Sequence, residues 1–398
     1  MNFGILTHEP FYPPSGGGSS QAVYLVEEMV RRGHTVHVFA PQRENVAELE
    51  TKFCIKIHSF TAWQMGRYTS LRSLKYLAYP FFLKRLVLET AREVKFDLLL
   101  AQHAIACVAA GHLRRSLDCT VAMNFLDYLT GYFDSWPKYL APPALVRRLK
   151  NFELSLPIKY RAEGIFTISD ELADLFQKAG YPAKNILPIY FGYDSKLFRP
   201  TFQTSPTPLV VMHGSLDHHH LNEFGARALI HISKKRPDAK FRFVGHHTEA
   251  LRRTLKIVKN QIPDSAIECT GFIPYAEVAK HIHDATVGII PYATSTGAHC
   301  TMVAKTVEYA AMGVPMVCTP LRGTVRYWRD NPIIRFSEMN PESFAEKVLS
   351  WFDEPLENRH AWGRASSAKV SAELDWQPFS RRVVERLEEI HRERGGKN

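Results

Sequence analysis

Nowhere does this 398-residue chain offer eighteen consecutive uncharged apolar residues, so the sequence predicts no membrane-spanning helix. Its start, MNFGILTHEP, lacks the basic and apolar regions of a secretory signal and reads directly as a first buried strand. Cysteine is scarce: Cys54, Cys107, Cys119, Cys269, Cys300 and Cys318 are all there is, and no Cys-x-x-Cys pair occurs. Most of them sit in apolar segments, which predicts reduced, buried thiols and a cytoplasmic protein. No strand is followed by Gly-x-Gly-x-x-Gly, and no Walker A loop is present, so neither NAD chemistry nor ATP hydrolysis is indicated. No RNP-like signature and no interleaved basic repeat argue for nucleic acid. No internal repeat is visible either.

Positive charge is what the chain has in excess. Fifty Lys and Arg against forty Asp and Glu leave a formal balance of +10. That favours phosphate-bearing partners, whether nucleotides, nucleic acid or an anionic membrane face. Two stretches mix the cations with aromatics: RYTSLRSLKYLAYPFFLKRLVLETAREVK (Arg67 to Lys95) and WPKYLAPPALVRRLKNFELSLPIKYR (Trp136 to Arg161). Each reads either as an ordinary amphipathic helix on a core or as a surface for anionic lipid or a lipid-linked substrate.

Short apolar runs alternate with helical patterns along the whole chain. FGILTH, TVHVFAP, FDLLLAQ, TVAMNF and GIFTIS read as strands of a first half. LVVMHGS, KFRFVGH, IECTGF, VGIIPY and PMVCTP read as strands of a second. This βαβ grammar predicts parallel sheets covered by helices on both faces. Between the halves, KLFRPTFQTSPTP (Lys196 to Pro208) has no apolar periodicity and reads as a linker. Two domains are therefore expected, 1–200 and 201–376, followed by a basic amphipathic helix over 377–398.

Open parallel sheets bind ligands beyond the carboxyl ends of their strands, which selects three loops. In PFYPPSGGGSSQ, Gly16, Gly17 and Gly18 precede a helix and let backbone approach an anion, though a plain tight turn reads equally well. In AQHAIACVAAG, His103 begins a helix, where it caps, packs or hydrogen-bonds a substrate hydroxyl. In AHCTMVAKTVEYAAMGVPMVCTP (Ala298 to Pro320), Lys305 and Glu308 stand three residues apart on one helix face among apolar neighbours. A surface ion pair there would contribute only a few tenths of a kcal/mol. A lysine near a helix N-terminus suits a phosphate, and a carboxylate one turn on suits the hydroxyls of a ribose.

Four stretches, in order, carry a resemblance. They are PPSGGGSSQAVYLVEEMVRRGHTVHVFAP; FTISDELADLFQKAGYPAKNILPIYFGYDSKLFRP, which ends in a Gly-x-Asp-x-x-x-Phe-x-Pro pattern at Gly192, Asp194, Phe198 and Pro200; ECTGFIPYAEVAKHIHDATVGIIPY; and KTVEYAAMGVPMVCTPLRG. The whole chain resembles the GT-B fold glycosyltransferases of the large retaining group called family 4, in a divergent subgroup with Lys-x-x-Glu-Tyr. The resemblance implies two Rossmann-like, doubly wound α/β domains facing across a cleft, with the C-terminal helix packed back on the first. It implies transfer of a sugar from a nucleotide diphosphate donor, UDP or dTDP favoured, to a hydroxyl acceptor, with no metal and no separate cofactor. Acceptors would include cell-surface polysaccharide or glycolipid intermediates, often lipid-linked, which suits contact with the inner face of a membrane.

By the same resemblance Glu308 would hold the ribose, Val303 and Ala304 would offer amides to the diphosphate, and Gly17 and its neighbours would lie near diphosphate and acceptor. His103 would touch the donor sugar, Phe272 and Ile273 would border the nucleobase, and His213, Gly214 and Gly245 would lie in donor-side loops. The departures are at three positions. Cys300 stands where a sugar-contacting glutamate is expected, eight before Glu308; Ser215 takes the place of an arginine, and His220, approximately, that of a lysine. Lys305 would then supply the lost cation, with His213 or His220 adding a partial charge, in an active transferase; without that compensation the fold would only bind. A nucleotide-sugar epimerase sharing the architecture would need acid and base groups around the sugar, for which the histidine-rich loop DHHH is available. A metal held by DHHH with His246 and His247 is disfavoured, because consecutive histidines point in different directions.

Overall fold

A computed structural model describes all residues except 14–16, 43–44, 62–74, 203–204 and 397–398, with backbone alone for 17–19. Gly16 and the first part of the Arg67 to Lys95 stretch thus lie outside the described residues. The chain divides into two compact units, Met1–Phe191 with Trp376–Asn398, and Gly192–Asp375.

The first unit holds a seven-stranded parallel sheet: β1 (Asn2–Leu6), β2 (Thr35–Ala40), β3 (Lys56–Ser59), β4 (Leu98–Gln102), β5 (Thr120–Phe125), β6 (Gly164–Thr167) and β7 (Ile186–Pro188), in the order β3-β2-β1-β4-β5-β6-β7. Its central strands β4 and β5 are buried throughout, as expected of strands covered on both faces. The chain order reverses between β1 and β4, so the loops after these two strands diverge and leave a crevice at their carboxyl ends.

The helix Trp376–Gly395 belongs to this unit. Trp376, Phe379, Val383, Val384, Leu387 and Ile390 join one core with Leu25, Val26 and Met29 of the helix Gly17–Arg31. Trp376 stacks on Tyr24 at 4.9 Å, and Arg32 reaches both Glu385 and Glu388.

The second unit repeats the plan in six parallel strands: β8 (Leu209–His213), β9 (Lys240–Val244), β10 (Ile267–Gly271), β11 (Val287–Ile290), β12 (Met316–Cys318) and β13 (Ile334–Phe336), ordered β10-β9-β8-β11-β12-β13. Its reversal lies between β8 and β11. Gly288 of β11 leaves room for the Tyr309 ring, which a Cβ there would meet at 2.5 Å. The Tyr309 hydroxyl donates to the Val211 carbonyl of β8 at 2.8 Å. One aromatic thus seats the helix Ala304–Met312 over the reversal point.

The division falls at Phe191/Gly192, earlier than the Pro200 read from composition. The reason is packing: Phe198 is buried, and Phe202 lies against Gly313 and the His360 ring. The residues that look like a linker are therefore tied to the second unit. The other crossing is its neighbour, since the Tyr193 amide donates to the Leu374 carbonyl at 3.0 Å.

Candidate active site

β8 ends at His213, and the chain turns at Gly214 with φ +88°, a conformation that suits glycine. The helix Ala304–Met312 begins beside this turn. It carries no side-chain cap and no acid in its first turn, and Lys305 is its second residue. Elsewhere in this unit, Asn222 with Glu223, Thr248 with Glu249, and Asn340 with Glu342 supply both cap and acid at helix starts. A cation at an uncapped N-terminus opposes the helix dipole, and an incoming anion would relieve both features.

Lys305 runs over Gly214: a Cβ on that glycine would lie 2.7 Å from its Cε and 3.1 Å from its Nζ. Its ammonium donates to the Tyr292 hydroxyl at 2.7 Å, just beyond β11. Glu308, one turn on, places Oε2 2.6 Å from Nε2 of His213. Thr306 anchors the same turn, accepting from the Trp328 indole at 2.7 Å and donating to the Val303 carbonyl at 2.6 Å.

The histidine loop is organised around Asp217. Its carboxylate accepts from Ser215 Oγ and from the His219 amide, each at 3.0 Å, and lies 2.7 Å from His220 Nδ1. Burial alone would raise this carboxyl, but the bonds from His220 and Ser215 outweigh it and hold the group well below the usual range. Burial lowers His220 despite Asp217, and burial with the neighbouring His218 brings His219 down to about 4. Neither ring is a ready cation at neutral pH, so the charge facing this turn comes from Lys305. The His220 ring packs on Tyr292 at 4.2 Å between centroids.

The residues singled out in the sequence fall into groups. His213, Gly214, Ser215, His220, Lys305 and Glu308 converge at the β8/β11 reversal. Gly245, Phe272 and Ile273 follow β9 and β10; Phe272 is exposed and stacks on His246 at 4.5 Å, whereas a Cβ at Gly245 would collide with the Gly214 carbonyl at 2.2 Å. Val303 has its amide engaged by Thr324 Oγ1 at 3.3 Å, which leaves Ala304 as the opening amide of the helix. Cys300 is completely buried and presents no surface to a ligand. His213 turns its Nε2 to Glu308 rather than outward. Tyr292 was not anticipated, and Asp217 and His246 were weighed only as metal ligands, because a side chain after a strand carries no clear signal until its neighbours in space are known. Among the described residues no group of three or more His, Cys, Asp or Glu is placed to hold a metal ion.

In the first unit, Gly17 and Gly18 form the start of the helix Gly17–Arg31. His103 opens the helix after β4 with φ +65°, a strained value for a non-glycine residue, and meets the His8 ring edge-on at 4.7 Å. Beneath them Gln21, Gln102 and Asn124 form a fully buried amide cluster, Asn124 donating to Gln21 Oε1.

Two family descriptions match the chain: Glycosyltransferase Family 4 over residues 15–197 and Glycosyl transferases group 1 over residues 207–354. The chain belongs to glycosyltransferase family 4. It is a sugar transferase that uses a nucleotide-sugar donor. Its two sheets match GT-B structures. Sucrose-phosphate synthase from Thermosynechococcus elongatus superposes with a TM-score of 0.80 at 14% identity, over 98% of each chain. Anabaena HepE, solved with UDP and glucose, gives 0.72 at 17% identity over 97% of this chain and 99% of that one. WaaG, a glycosyltransferase involved in lipopolysaccharide biosynthesis, gives 0.67 at 14% identity over 97% and 99%. A search of curated protein sequences found no match. The structural likenesses, all at low identity, establish the transferase's fold and leave its substrates to its own residues.

Proposed function

We propose that this transferase moves a hexosyl or related sugar from a uridine or thymidine diphosphate donor to a hydroxyl on a lipid-linked glycan, with retention at the anomeric carbon and without a metal. The observation that carries the reading is the convergence of Lys305 and Glu308 at the β8/β11 reversal. Glu308 accepts hydrogen bonds from the ribose hydroxyls. Lys305, the Ala304 amide and the turn at Gly214 and Ser215 face the diphosphate and neutralise the charge that grows there as the glycosidic bond breaks. Phe272 beside His246 offers a flat apolar border for the base. The departing phosphate oxygen takes the acceptor's proton on the face the sugar leaves, so no protein nucleophile is required and catalysis rests on positioning. His103 and the glycine turn at Gly17 serve the sugar and acceptor. A uridine or thymidine base is favoured because HepE was solved with UDP-glucose.

Support for a lipid-linked acceptor comes from the first unit. The helices Lys75–Thr90 and Pro143–Lys159 both pack against His103–Leu113. Leu77 and Phe81 on one, and Tyr139, Leu140, Leu145, Phe152 and Ile158 on or before the other, are exposed. Lys138, Arg147, Arg148 and Lys159 are exposed among them. Apolar side chains flanked by cations suit an anionic lipid face at the inner side of a membrane.

Calorimetric titration without metal tests the donor site. UDP or dTDP should bind more tightly than GDP or ADP, and Lys305→Ala and Glu308→Ala should each weaken binding by roughly 10- to 100-fold, the scale of one charge-assisted hydrogen bond. Equal affinity for all four nucleotides, or indifference to both substitutions, would sink the assignment. Flotation with phosphatidylglycerol vesicles should recover the protein, whereas phosphatidylcholine vesicles should not, and Phe81→Ser with Leu140→Ser should abolish recovery.

A further inference from the structure

His213 is the last residue of β8 and almost completely buried, with 3% of its side chain exposed. Nε2 lies 2.6 Å from Glu308 Oε2, and the ring meets Tyr309 edge-on at 4.7 Å. Nδ1 has no hydrogen-bond partner among the described residues. An imidazole with one nitrogen against a carboxylate and the other unpartnered carries its proton on the first, so Nε2–H donates to Glu308. Tyr309, fixed by its own bond to Val211, blocks the ring from turning away.

Glu308 is the fifth residue of the helix Ala304–Met312, and 13% of its side chain is exposed. A carboxylate left to itself there would turn toward water. The bond from His213 takes one lone pair of Oε2 and aims the group inward, leaving Oε1 and the second lone pair of Oε2 for a ligand. The geometry points to His213 as a positioning residue that holds Glu308 in the orientation the nucleotide's pentose hydroxyls need, and so sets how much those hydroxyls contribute to donor binding. This rests on the reading that Glu308 accepts from the ribose.

The test compares UDP with 2′,3′-dideoxy-UDP by calorimetry on the full chain. His213→Leu, close in volume but without the donor, should weaken UDP roughly five- to tenfold, the scale of one lost hydrogen bond. Dideoxy-UDP, which offers no hydroxyl to Glu308, should bind this variant as it binds the unsubstituted enzyme. His213→Leu combined with Glu308→Ala should bind UDP no more weakly than Glu308→Ala alone. His213→Gln, whose amide can still donate, should recover part of the loss. Should the leucine variant not fold, His213→Asn, too short to reach Glu308, gives the same comparison.

Equal weakening of UDP and dideoxy-UDP would make His213 merely structural and overturn the inference, as would unchanged UDP affinity. The underlying reading fails separately: if Glu308→Ala binds UDP as tightly as the unsubstituted enzyme, Glu308 does not hold the ribose and the role of His213 falls with it.

Discussion

A glycine and a lysine show how narrowly the donor turn is built. At Gly214 the backbone lies where side chains are rarely tolerated, and an added methyl would strike the Lys305 stem. Gly214→Ala therefore strains the turn by about 1–2 kcal/mol and also pushes the ammonium off its line to Tyr292. The expected result is a modest drop in melting temperature with at least a tenfold loss of UDP affinity, measured on the same preparation. Gly245→Ala is the contrasting case, because its methyl would meet the Gly214 carbonyl, which cannot swing aside. It should cost more stability than Gly214→Ala, read by thermal unfolding. Lys305 and Glu308 were legible in the sequence because charges among apolar residues ask for a reason. The turn of His213 toward Glu308 was not, since a histidine at a strand end reads the same whether it faces a phosphate or a carboxylate.

Among the elements, the helix Pro143–Lys159 carries a carboxylate with a testable pH signature. Glu153 is buried and accepts from the Leu129 and Thr130 amides and the Thr130 hydroxyl, holding the 3₁₀ segment Leu129–Ser135 that follows β5. Burial raises its pKa from 4.5 to about 7, with the bonds from Thr130 and Leu129 opposing. The folded state thus binds a proton that the unfolded state has released. Below about 4.5 both states are protonated and nothing is lost; as pH climbs toward 7 the folded state is progressively disfavoured, by about 3 kcal/mol in all. Glu153→Gln removes this dependence, at the expense of one or more of the bonds to the segment. The gap in melting temperature between the two proteins should accordingly change across pH 4.5 to 7.5 and flatten above it; a constant gap would show that Glu153 stays ionised. The element pattern itself was largely readable. All ten apolar runs became strands; nine lie inside their sheets, where parallel strands are buried on both faces and leave an apolar signature, and β10 lies at an edge. The three strands missed, β3, β7 and β13, each lie at a sheet edge. Lys56–Ser59 reads KIHS, with one buried residue in four, and edge pairing rather than composition makes it a strand.

For the whole molecule, the chain's return after Asp375 makes the two units unequal in their dependence on the C-terminus. The first unit takes Trp376, Phe379, Val383, Val384, Leu387 and Ile390 into its core, and a Cβ on Gly164 of β6 would lie 2.4 Å from Ile390 Cδ1. The second unit is closed before that helix begins. Removing residues 376–398 strips six apolar side chains from the first core, each worth about 1.5–3 kcal/mol when buried, which exceeds the stability of most domains. The shortened chain should lose the first unit's cooperative transition in scanning calorimetry and expose its β1 and β2 amides to hydrogen exchange. The second unit should keep its transition. Because the nucleotide in our reading is held by Lys305, Glu308 and the β8 turn, UDP at a hundredfold excess over its dissociation constant should still raise that remaining transition, by about 2.7 kcal/mol of added stability. If truncation melts both units together, they fold as one cooperative body. If the second unit persists but no longer responds to UDP, nucleotide binding needs groups from the first, and the glycine turn at Gly17 becomes the place to look for them.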